Sequence, residues 1–171
     1  MNIRKTNSPF IFDTILGDDT KRKRYSKNYC YGDPGTLFGL LKGYTHLNHP
    51  KEVNYIIDQY KQSIALGYDT PYFVAGQSLL YGHAGLAMLV KKITENIKDE
   101  LIISDYQFHI DQIINSFDPE APFLGYKGYW NQSLEHTNYC YSEGLIGIGM
   151  ELIDFLQNSN SPSHDIFFYL N

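Results

Sequence analysis

Apolar residues recur along the chain in two kinds of segment. Leu37, Leu40 and Leu41 follow "YCYGDPG", Leu86, Leu89 and Val90 follow "LLYGHAG", and Ile148, Leu152 and Phe155 follow "YSEGLIG". Steps of three to four residues are the period of an α-helix with one face turned to a core. Between these stretches lies the second kind. "KEVNYIIDQYKQSIALG" sets Val53, Ile56, Ile57, Tyr60 and Ile64 on one face with charges opposite, starting just after Pro50 and stopping at Gly67. "DYQFHIDQIINSF" repeats the arrangement with Ile110, Ile113, Ile114 and Phe117, ahead of Pro119. On that face pattern His109 points away from the apolar stripe, which predicts a solvated imidazole. No segment alternates as a half-buried strand does, although "DIFFYL" at 165–170 fits either a short strand or a final helical turn.

Each helix of the first kind is headed by paired glycines: Gly32 with Gly35, Gly82 with Gly85, Gly144 with Gly147, at spacings of 50 and 62 residues. Small residues at the opening turn let a helix approach its neighbours closely, or let the backbone turn sharply just before it. The repeating unit is then a helical hairpin: a Gly-headed helix buried on most sides, followed by an amphipathic helix with one wet face. About three such hairpins, stacked into part of a barrel or solenoid, give an all-α fold. The expected division is an N-terminal segment at 1–24, a helical-hairpin domain at 25–157 and a C-terminal tail at 158–171. A length of 171 residues suits one domain.

Composition narrows the function classes. With 43% hydrophobic and 19% charged residues the chain is globular rather than disordered. Its net charge of −5 gives no general attraction for phosphate backbones, so no nucleic-acid partner is expected. The basic run "KRKR" at 21–24 reads as a solvated loop. Neither a signal-peptide core nor a run of ~18 apolar residues occurs, which predicts a cytoplasmic protein without a membrane span. In that setting Cys30 and Cys140 are thiols or ligands rather than a disulfide.

Both cysteines stand third in an "NYCY" tetrapeptide, at 28–31 and 138–141. If the Gly-headed helix ends converge, Cys30, His83 and Cys140 make a Cys₂His set with one open position, the ligand count of some catalytic zinc sites. The other reading of Cys140 is a small residue filling core space. Asp33 and Glu143 stand at helix heads, where a carboxylate serves either glycoside hydrolysis or the helix N-terminus. His46 and His49 fall in a loop, and His136 lies in a polar loop four residues before Cys140. The stretch 116–133, rich in aromatics, Pro and Gly and including Trp130, is long enough to be a functional loop or to pack over the end of a barrel.

These motifs resemble the lanthionine synthetase C-like family, the LanC cyclases. "YCYGDPG" is similar to the family's W-C-Y-G-x-P-G, with Tyr29 in the Trp position. "LLYGHAGLAML" is similar to L-C-H-G-x-A-G-x-A, and "EGLIGIGMELIDFL" to the closing G-x-x-G-I-G. The resemblance runs from about Tyr25 to about Phe155 and implies a double-layered α/α toroid with its Gly-rich inner-helix ends around a zinc ion. In the family the Cys of the first motif and the adjacent Cys and His of the second hold the metal. Zinc makes a peptide thiolate reactive, and the thiolate adds to a dehydrated Ser or Thr to close a thioether ring.

Carried over by position, Cys30 matches the first ligand and Tyr31 the neighbouring Tyr, a substrate-binding position. The second motif departs from the pattern: Leu80 stands for its Cys and Tyr81 for its His, and neither is an ordinary zinc ligand. Ser26 stands where the family has Arg. The family's catalytic His motif precedes the Cys motif, and 29 residues before Cys30 leave that part of the family pattern uncovered. The expectation is a shortened, degenerate LanC-like protein that is not an active cyclase alone. Zinc is the implied cofactor, with an incomplete ligand set. A peptide substrate or a lanthipeptide-modifying enzyme is the implied partner, and the open flank of a partial toroid implies self-association or a partner chain. Two alternatives stand beside it: a zinc-dependent cyclase completed by a partner chain, and a carbohydrate-active α/α-barrel enzyme using Asp33 or Glu143.

Overall fold

Among the described residues glycine and proline punctuate five α-helices: α1 Asp33–His46, α2 Pro50–Ala65, α3 His83–Asn96, α4 Glu100–Asn115 and α5 Leu145–Gln157. The computed structural model describes residues 27–30, 32–68, 74, 76–120, 125–126 and 139–157. Among these there is no strand, only an isolated bridge between Lys27 and Gly32. The all-α expectation therefore holds. Tyr31, His136, Trp130, "KRKR", "DIFFYL", the segments 1–24 and 158–171, and most of the 116–133 loop lie outside the described residues, as would a second helix for the third hairpin.

The chain forms two compact units, Met1–Ala75 and Gly76–Asn171. In the first, α1 and α2 make an antiparallel-type hairpin across Leu47, Asn48 and His49, with Asn48 in the left-handed region at φ 57°. Leu37, Phe38 and Leu41 of α1 pack in the core with Ile56 and Tyr60 of α2. Gly67 at φ 72° ends α2 where the sequence places its stop. Lys27 is wholly buried, and its ammonium donates to the backbone carbonyls of Ser63 and, at 2.7 Å, Gly67, 4.5 Å from the centre of the Tyr68 ring. α2 has no basic residue in its own last turn, so Lys27 supplies the positive charge that its exposed carbonyls favour.

In the second unit the α3–α4 hairpin turns across Ile97, Lys98 and Asp99, and α5 packs on both helices. Asp99 caps α4: its Oδ1 accepts the N–H groups of Leu101 (3.1 Å) and Ile102 (3.4 Å). That cap starts α4 at Glu100, five residues before the amphipathic stretch read from sequence. α3 is buried continuously from His83 to Val90, as expected of a Gly-headed helix. α1 differs, since Thr36, Gly39, Lys42 and Gly43 are exposed. α4 buries Ile102, Asp105, His109, Ile110 and Ile113, while Ile114 and Phe117, expected on the core face, are exposed.

Candidate functional site

The paired glycines have a physical explanation that recurs three times. In each helix the second glycine is the third residue, and the carbonyl oxygen six residues earlier occupies the space of its missing Cβ: Tyr29 over Gly35, Leu79 over Gly85, Tyr141 over Gly147. The chain folds back on the opening turn so closely that no side chain fits. Of the first glycines, Gly32 adopts φ 93°, and a Cβ on Gly82 would collide with the backbone of Gly76, Gln77 and Ser78. Gly82 and Gly144 each donate to the carbonyl four residues back, Ser78 at 2.9 Å and Cys140 at 3.1 Å.

At α3 the returning backbone also closes the helix end. The N–H groups of His83, Ala84 and Gly85, which a helix start leaves without partners, donate to the carbonyls of Gly76 (3.1 Å), Gln77 (3.2 Å) and Ser78 (3.4 Å). Within the second unit, two Gly-headed ends meet. Leu80 N–H donates to Ser142 carbonyl at 2.9 Å, and the Leu79 side chain lies against Gly147 at the head of α5.

The sequence-predicted residues are distributed as follows. In the first unit Cys30 is exposed in the turn before α1, beside Tyr29, whose phenol is raised above its ordinary pKa by burial and by the neighbouring sulfur. Asp33, the first residue of α1, is buried. His46 closes α1 and His49 precedes α2, where its Nδ1 lies 3.6 Å from the Glu52 carboxylate. In the second unit Cys140 is exposed rather than filling core space, and its sulfur accepts the N–H of Glu143 at 3.2 Å, 3.8 Å from Ser142 Oγ. Glu143 itself is half-buried in the turn before α5.

His83 is the buried first residue of α3, and it is not alone. Its Nδ1 lies 2.8 Å from Nδ1 of His109, and the Nε2 of His109 lies 3.7 Å from the Asp105 carboxylate one turn earlier on α4. All three residues are buried, with Phe108 edge-on to both rings. The solvated His109 expected from sequence is thus corrected: it is 0% exposed. At an Nδ1–Nδ1 hydrogen bond one ring donates and the other accepts. The carboxylate favours a proton on His109 Nε2, which leaves its Nδ1 to accept from His83 Nδ1–H and puts the lone pair of His83 on Nε2. Burial holds the His83 imidazole down at about 4, so it is neutral at pH 7. The signal was present in the sequence: Ile102, Asp105, His109 and Ile113 fall on one helical face once the helix starts at Glu100.

The family model of lanthionine synthetase C-like proteins matches residues 2–168. The chain belongs to that family. The match extends beyond both ends of the stretch carrying the motifs, and the LanC-like fold, a helical α/α toroid, agrees with the all-helical structure. No curated protein matches the chain.

The family resemblance puts its metal ligands at the first and second Gly heads, and the side chains at those positions of this chain are Cys30, Leu80 and Tyr81. These offer a thiol, a hydrocarbon and a phenol respectively. Among the described residues no group of three or more His, Cys, Asp or Glu is placed to hold a metal ion. No helix among them is long and apolar enough to cross a membrane.

Proposed function

We propose that this LanC-like protein keeps the helical scaffold of the lanthionine-forming cyclases without their zinc chemistry, and acts as a peptide-binding or assembly component rather than closing thioether rings alone. The observation that carries the reading is Leu80–Tyr81 at the second Gly head, where the family has Cys and His. A single thiolate, Cys30, falls short of the three protein ligands of a catalytic zinc. The Gly heads, by contrast, are intact, and they depend on backbone fit rather than on ligands. Scaffold and chemistry are therefore separable in this chain.

The test has two readouts on the purified chain. Metal analysis after incubation with zinc is expected to give well below one ion per chain. A peptide carrying both a cysteine and a dehydrated Ser or Thr is expected to keep its free thiol, while still shifting on binding in a fluorescence titration. One zinc per chain, abolished by Cys30→Ala and accompanied by loss of the peptide thiol, would overturn the reading.

A further inference from the structure

No further inference is drawn: the strongest candidate, the buried side-chain cluster of His83, His109 and Asp105 where α3 packs on α4, belongs to the site already described and stands at a helix start whose N–H groups are already satisfied by backbone carbonyls.

Discussion

A missing methyl group at Gly35, Gly85 and Gly147 decides whether the chain can fold back on its own helix. Gly85→Ala would press a Cβ into the Leu79 carbonyl, a backbone atom with no rotamer to yield, and is expected to cost about 1–3 kcal/mol or more. Gly43→Ala, in α1 with open space around its Cβ, is expected to gain about 0.5–1 kcal/mol instead. Urea midpoints of the two variants check both signs. Histidine provides the second residue-scale prediction. His83 is held near 4 in the folded chain against an ordinary 6.5, so between those values the unfolded chain binds the extra proton and the folded chain does not. Stability is expected to fall by about 3 kcal/mol as pH drops from 6.5 to 4, and His83→Asn to flatten that dependence in denaturant titrations. The glycines were legible in the sequence because their spacing repeats. The buried pair was not, because a helix begun at Asp105 rather than Glu100 assigns its core face to Ile114 and Phe117 and turns His109 outward.

Among the elements, the hairpins were readable to within about a turn and a half and their fastenings were not. Pro50 and Gly67 mark α2, and the apolar run after each glycine pair marks α1, α3 and α5. Nothing in the local pattern reveals that a lysine preceding the first motif reaches the far end of the hairpin. Lys27 is 36 residues from Ser63 and 40 from Gly67, and long-range pairing of that kind leaves no periodic trace. Lys27→Met keeps the length and packing of the side chain but leaves both carbonyls without their cation. It is expected to lower stability by about 1.5–3 kcal/mol, the range for hydrogen bonds to a charged group, read as a reduced thermal midpoint. The outward face of α5 was equally hidden: Ile148, Leu152 and Phe155 were read as its core stripe, whereas its inward side also carries Glu151 and Asp154.

For the molecule as a whole, the all-α class and the LanC-like family were legible from three short motifs because the backbone geometry at each Gly head tolerates few alternatives. The fastening between the second and third heads, Leu80 N–H to the Ser142 carbonyl, has a consequence for how the gene can change in length. Chain ends already pinned together make the intervening polypeptide a closed loop, and the entropy of such a loop grows only with the logarithm of its length. Doubling it costs about 0.6 kcal/mol. Flexible Gly-Ser insertions between Glu120 and Gly125 are therefore expected to move the thermal midpoint by no more than a few degrees. Differential scanning calorimetry of such a series would reveal this. The unequal intervals of 50 and 62 residues between successive heads then need no structural compensation: clasped at its base, the longer interval is free to drift in size.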